Sequence, residues 1–217
     1  MSYKPPTVRA TVIDITSDQP KEGDRFLVDT QVWYWLTYSR SQNTTQPPKD
    51  YQVEQYPTYI RQSIAAKSNL LWSGLAITEL TTLIERSEYD IFCREQKLAK
   101  KTFSMKNYRH GEPQARSEQV IPEINAAWET IQGIGTCLEA HVNQEFIIQS
   151  IANLNIQATD GYDTLMISSA KAIGVNQIIT DDIDFITVPG IQVFTANPKA
   201  LVAAENQNKL ISRSVTP

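Results

Sequence analysis

The stretch Asn176-Gln177-Ile178-Ile179-Thr180-Asp181-Asp182-Ile183-Asp184-Phe185 decides the fold. A short apolar run bounded by polar residues reads as a buried strand, and this one ends in a cluster of acids. Just upstream, Thr159-Asp160-Gly161 leads to Asp163, which opens a helix carrying Leu165, Met166, Ala170 and Ile173 and is stopped by Gly174. Downstream, Ile191 to Thr195 supplies another strand before an Asn197-Pro198 stop. Strands alternating with helices at this spacing imply an α/β fold: a mainly parallel sheet with crossover helices on both faces.

The same pattern recurs near the start of the chain, where Arg25-Phe26-Leu27-Val28 is a short apolar run ending at Asp29. Val32, Trp33 and Leu36 then follow at helical spacing. Residues 39–57 are polar and contain Pro47, Pro48 and Pro57, which reads as a long loop. From about Thr58 to Ser87 the text is helical, with Ile64, Leu71 and Leu75 and then Ala76, Leu80, Leu83 and Ile84 at three- and four-residue steps. A break at Ser73 or Gly74 divides it into two helices, and Glu79 rides on the second. Ile121 to Ile131 reads as a helix begun at Pro122, Thr136 to Val142 as a strand, and Gln144 to Leu154 as a helix with Phe146, Ile147, Ile151 and Leu154 on one face.

At 217 residues, 41% hydrophobic and 20% charged, the chain has material for one core and too little net charge, −4, for bulk disorder. The two cysteines, Cys93 and Cys137, form neither a disulfide framework nor a thiolate zinc motif. None of the eight glycines falls in a phosphate-cradling motif, which argues against a nucleotide cofactor. With His110 and His141 as the only histidines and no G-x-S-x-G or H-E-x-x-H, histidine-based hydrolases and zinc proteases are disfavoured. No stretch reads as a signal segment or membrane span, so the expected location is the cytoplasm.

Carboxylate is what remains. In a parallel sheet the strand C-termini share one edge, and ligands bind there. Asp29 and Asp182 fall just past strand ends, and Asp163 and Glu79 reach the same edge if their helices flank the first strand. Two carboxylates about 4 Å apart repel by roughly 4 kcal/mol at an effective dielectric near 20. A divalent cation removes that repulsion, and an all-oxygen donor set suits Mg²⁺ or Mn²⁺.

The order Phe26-Leu27-Val28-Asp29-Thr30, Leu75-Ala76-Ile77-Thr78-Glu79-Leu80, Asp163 to Ala170, and Ile178 to Phe185 resembles the PIN domain family, which includes ribonuclease toxins of the VapC type. The resemblance implies a three-layer α/β/α sandwich and metal-dependent RNA cleavage. It makes Asp29, Glu79, Asp163 and Asp182 the catalytic and metal-holding acids. Asp160, Thr180 and Asp184 stand as supporting or spare ligands. The resemblance also brings an antitoxin-like protein partner and a homodimer. Against a compact family member, the chain reads as a single domain over 1–217. It has an N-terminal extension to about residue 24, insertions near 40–58 and 88–132, and a C-terminal tail from about residue 200.

Each residue also has a plainer reading. Asp163 alone is a helix N-cap, Asp182 and Asp184 are turn acids, and Glu79 is a solvated helix residue. Trp33, Tyr34, Trp35, Tyr38 and Trp72 either stack bases or, at helical spacing, fill the core. Residues 94–116 hold seven Lys/Arg against two Glu, with Gly111 and Pro113 marking an excursion. There Lys97, Lys100, Lys101, Lys106 and Arg109 either grip an RNA backbone or line a solvated helix and loop. His110 reads as exposed and His141 as partly buried. The rival to an endoribonuclease is a module of the same fold that binds RNA or a protein partner without turnover. A haloacid-dehalogenase-type phosphatase is set back by Thr30-Gln31 after Asp29, and a receiver domain by the lack of an acidic pair before it.

Overall fold

Along strand β2 (Arg25–Val28), Phe26 and Val28 enter one hydrophobic cluster and Leu27 the other. The same split occurs at Ile13 and Val12 of β1 (Thr11–Asp14), Leu70 and Leu71 of β3 (Asn69–Trp72), Ile179 and Ile178 of β5 (Gln177–Ile179), and Phe194 and Val193 of β6 (Gln192–Thr195). Side chains alternate across a pleated strand, so two clusters mean a sheet covered on both faces. The structure, a computed structural model, describes residues 6–139 and 143–213. With β4 (Thr136–Cys137) the sheet has six strands, all paired in parallel, in the order β1-β6-β5-β2-β3-β4.

Helices α1 (Thr30–Thr37), α2 (Asp50–Ala65) and α6 (Ile121–Ile134) cover the face of Phe26 through Trp33, Tyr56, Tyr59, Ile60, Ala127 and Ile131. Helices α8 (Gly161–Ala172) and α9 (Pro198–Asn206) cover the face of Leu27 through Met166, Ile167, Ala170, Ala200, Ala203 and Ala204. The fold is therefore a three-layer α/β/α sandwich. The long α3 (Gly74–Glu95) gives Ala76 to one cluster and Leu80 and Ile84 to the other. Beyond it lie α4 (Met105–Gly111) and the single turn α5 (Pro113–Ala115). A π-helical turn at Arg116–Val120 continues into α6, and α7 (Gln144–Asn153) precedes α8. No helix among the described residues is long and apolar enough to cross a membrane.

Three readings of the sequence are corrected here. Residues 50–57 are helix rather than loop, because Tyr56, Tyr59, Ile60 and Ser63 repeat at helical steps on a buried face and Pro57 is accommodated within the helix. Asn69 to Trp72 is a strand rather than helix: α2 ends at Ala65, Lys67 takes φ 59, and Leu70 and Leu71 then part to opposite faces. The N-terminal stretch supplies β1, paired with β6 and capped on its open side where Val12 N donates to Lys209 O and Ile211 N donates to Val12 O. The strand expected over 136–142 is formed at Thr136–Cys137, and His141 lies outside the described residues.

Candidate functional site

Strand order reverses between β2 and β5, because the chain leaves β2 for β3 on one side and returns to β5 on the other. Such a switch point opens a crevice beyond the strand C-termini. Asp29 follows β2 directly, is 5% exposed, and caps α1 through its backbone carbonyl, which accepts from Val32 N and Trp33 N. Its side chain makes no cap bond and is free to face the crevice. Across the switch point, Thr180 Oγ1 donates to Asp29 Oδ2 at 2.6 Å and accepts from Asp182 N at 2.9 Å. One hydroxyl thereby joins the two strand-end acids. Asp182 Oδ1 in turn accepts from Asp184 N at 2.8 Å.

Asp163 is held from a third direction. The N-cap of α8 is Asp160, whose Oδ1 accepts from Asp163 N at 2.9 Å, so the expectation that Asp163 itself opens the helix is corrected by three residues. With the cap supplied by Asp160, the carboxylate of Asp163 is not used for helix ends. Beneath it, the hydroxyls of Thr159 and Thr164 lie 2.8 Å apart and Gln157 Nε2 donates to both. Ala158 N donates to Thr187 Oγ1, tying this turn to the segment after Asp184.

The electrostatics show which acids meet. Burial raises Asp29 from its ordinary 3.8 to about 7, aided by the charges of Asp182 and Glu79 and opposed by the Thr180 bond. Burial also raises Asp163 to about 8, and the charges of Asp29, Asp160, Asp182 and Glu79 add to it. Asp184 is raised by burial and then by Asp182 and Asp160. The structure therefore places Asp29 and Asp163 within the fields of each other, of Glu79 and of Asp182, with Asp29 buried, Asp163 half-buried and Glu79 and Asp182 exposed. As they stand, no three Asp, Glu, His or Cys side chains among the described residues are arranged to hold a metal ion. The donor chemistry nevertheless fits a hard divalent cation: the oxygens are carboxylate only, and the negative charge of Glu79 and Asp182 bearing on Asp29 and Asp163 is what a cation would relieve. Next to Asp29, Thr30 Oγ1 is buried without a hydrogen-bond partner.

Sequence reading missed a clamp on the acidic loop. Asp181 accepts from Gln52 Nε2 at 2.6 Å and from Tyr51 Oη at 3.0 Å, and Tyr56 Oη lies 2.7 Å from its Oδ1. Asn197 Nδ2 donates to Asp181 O at 2.6 Å. Helix α2 thus fixes the residue between Thr180 and Asp182, and the signal for it was the Thr180-Asp181-Asp182 doublet itself. In the basic segment, Lys100 pairs with Asp90, and Arg109 Nε donates to both Glu85 oxygens at 3.0 and 2.9 Å. Lys97, Lys101 and Lys106 have no ion-pair partner among the described residues and are exposed, as is His110.

No family model and no curated protein matches the chain. Among solved structures it is similar to FitAcB from Neisseria gonorrhoeae, at 15% identity and a TM-score of 0.38, covering 79% of this chain and 97% of that one.

Proposed function

We propose that this chain is a metal-dependent endoribonuclease of the PIN type, acting at Asp29, Glu79, Asp163 and Asp182 with Mg²⁺ or Mn²⁺. The observation that carries the reading is the convergence of these acids at the switch point, where burial first and then the neighbouring carboxylates raise Asp29 to about 7 and Asp163 to about 8. When bound, the divalent ion supplies Lewis acidity toward water and phosphodiester oxygens. The chain's own groups do the positioning. The carboxylates of Asp163 and Glu79 have no hydrogen-bond or ion-pair partner among the described residues, whereas Asp29 commits Oδ2 to Thr180 and Asp182 commits Oδ1 to its own turn. Thr180 holds those two acids in register, Asp160 supports Asp163, and Asp184 closes the turn.

The same reading gives Lys97, Lys100, Lys101, Lys106 and Arg109 the phosphate backbone of RNA, drawn to local positive charge on an acidic protein. It also includes a toxin-like role with an antitoxin-like partner and a homodimer, both carried by the family resemblance. The test is cleavage of a single-stranded RNA in Mg²⁺ or Mn²⁺. Asp29→Asn keeps the side chain's size and removes its charge, and loss of several kcal/mol of transition-state stabilisation corresponds to a rate loss on the order of 10³-fold. Cleavage at the wild-type rate by Asp29→Asn overturns the assignment.

A further inference from the structure

A cleft of roughly 640 Å³ is lined by Gln31 and Trp35 of α1, Lys49 and Gln52 at the start of α2, Arg86 of α3, and Lys100. That size is within the range of about 300–1,000 Å³ usual for small-ligand clefts. Its position follows from two helices that also carry the site. Gln31 is two residues past Asp29, and Leu83 and Arg86, both in the lining, sit four and seven residues past Glu79 on one stripe of α3. At about 1.5 Å rise per residue, Arg86 is roughly 10 Å along the helix from Glu79. The cleft begins one helical turn from the carboxylates.

Its chemistry is mixed in a particular way. Arg86 is exposed and has no hydrogen-bond or ion-pair partner among the described residues, nor does the Gln31 amide. The Lys49 ammonium lies 5.8 Å from the Tyr51 ring centre, and its charge also reaches Asp181, without an ion pair among the described residues. The acid in the lining, Asp90, is neutralised: burial would raise it, but bonds from Lys100 and from Thr45 outweigh burial and hold it below the ordinary carboxylate range. Trp35 is partly exposed, packs against Tyr56 at 5.3 Å between ring centres, and offers an aromatic surface to the cleft. Cations for phosphate, the Gln31 amide for a base edge and an indole for a base face are together the parts of a single-stranded nucleotide site.

We infer that this cleft seats the nucleotide adjacent to the scissile phosphate of a single-stranded RNA, with its base on Trp35 and its phosphate on Arg86 and Lys49. The inference rests on the ribonuclease reading for its direction along the strand, but the site is testable by binding alone. An acidic peptide fits less well, since it would leave the indole and the Gln31 amide unused.

The experiment measures affinity of a short single-stranded RNA for the full chain in EDTA, across a salt series, for wild type, Arg86→Glu and Trp35→Leu. Arg86 is exposed, so its variant folds even if the tryptophan variant does not. Arg86→Glu is expected to weaken binding by about tenfold or more and to lower the slope of log affinity on log salt by about one. The wild type is expected to bind an RNA with abasic sites at least about tenfold more weakly, because stacking is lost. Unchanged affinity and slope in Arg86→Glu overturn the inference. So does equal affinity for the abasic strand or for duplex RNA, which would make the surface a backbone contact only, or Arg86-dependent binding of polyglutamate at equal strength. Cleavage is measured separately: a wild type that binds in this Arg86-dependent way but never cleaves with Mg²⁺ or Mn²⁺ ends the ribonuclease reading and leaves the cleft, whereas cleavage with an indifferent Arg86→Glu ends the cleft and leaves the nuclease.

Discussion

Helix α3 carries acids at both ends of its length, and the fold treats them in opposite ways. Glu85, Glu88 and Asp90, on the later turns, each have partners. Glu85 is met by Arg109 and Arg116, Glu88 by Arg40 Nη1 at 2.6 Å and Tyr38 Oη at 2.6 Å, and Asp90 by Lys100 and Thr45. The Arg109 bond leads in holding Glu85 below the ordinary range. The charge of Glu79, earlier on the same helix, reaches Asp29 and Asp163, and burial leads in pushing those two up to about 7 and about 8. Acids matched by cations of the same chain fasten the 40–49 and 100–116 segments to α3. Acids left unmatched meet no cation of the chain among the described residues, and their charge is available to something from outside.

That contrast fixes the signs of several experiments. Glu88→Ala leaves the buried Tyr38 hydroxyl unpaired and Arg40 with Glu95 and Gln119 only, and a buried polar group that loses its partner costs up to about 3 kcal/mol. Asp29→Asn should do the reverse, leaving the melting temperature equal or higher, since it removes repulsion at a cost of one altered Thr180 bond. Denaturant melts of both variants compare them directly, and a larger loss for Asp29→Asn than for Glu88→Ala would invert the comparison.

The next effect is on pH. Asp29 goes from an ordinary 3.8 to about 7 and Asp163 from 3.8 to about 8 in the folded chain. Between those values the folded state binds more protons than the unfolded one. Their contribution to stability is therefore fully present below about pH 4 and is lost as pH rises toward 7–8, by up to a few kcal/mol. Melts without divalent ions in Asp29→Asn/Asp163→Asn should show a flatter fall over this window than wild type, and parallel curves would show that these acids do not carry the slope. Smaller still is the clamp. Tyr56→Phe removes the hydroxyl beside Asp181 that also accepts from Ala196 N at 3.0 Å, and leaving that donor unpaired costs about 1–3 kcal/mol. A thermal melt with no shift would show that the clamp is not holding the acidic loop.

The sheet's centre was legible because β2 and β5 are apolar runs with an acid at the tip, and the late helix because its caps and apolar steps agree. What escaped reading was short or non-local. Strand β1 has two fully buried residues, Val12 and Ile13, which face opposite clusters and so show no alternation. Strand β3 hides in text where Ile64, Leu71 and Leu75 happen to keep helical spacing. Helix α2 buries tyrosines rather than aliphatics, so its polar composition resembled a loop. In the site, the four acids were singled out by their order and apolar framing along the sequence. The Asp181 clamp was not visible, because Tyr51, Gln52 and Tyr56 stand 125 or more positions away from it along the chain. Nor could a count of lysines show that Lys100 and Arg109 already have acidic partners.

The central claim is that the unmatched acids form one cation site, and Mn²⁺ titration at about neutral pH, by calorimetry and by thermal melting, tests it most directly. At a hundredfold excess over the dissociation constant, an ion that binds only the folded chain adds about 2.7 kcal/mol, or a rise of roughly 5–10 °C for a domain of this size. Saturable binding and that rise are expected in wild type, with both reduced in Asp29→Asn and in Asp163→Asn and retained in Arg86→Glu. Absence of binding heat together with an unchanged melting temperature at millimolar Mn²⁺ would contradict it.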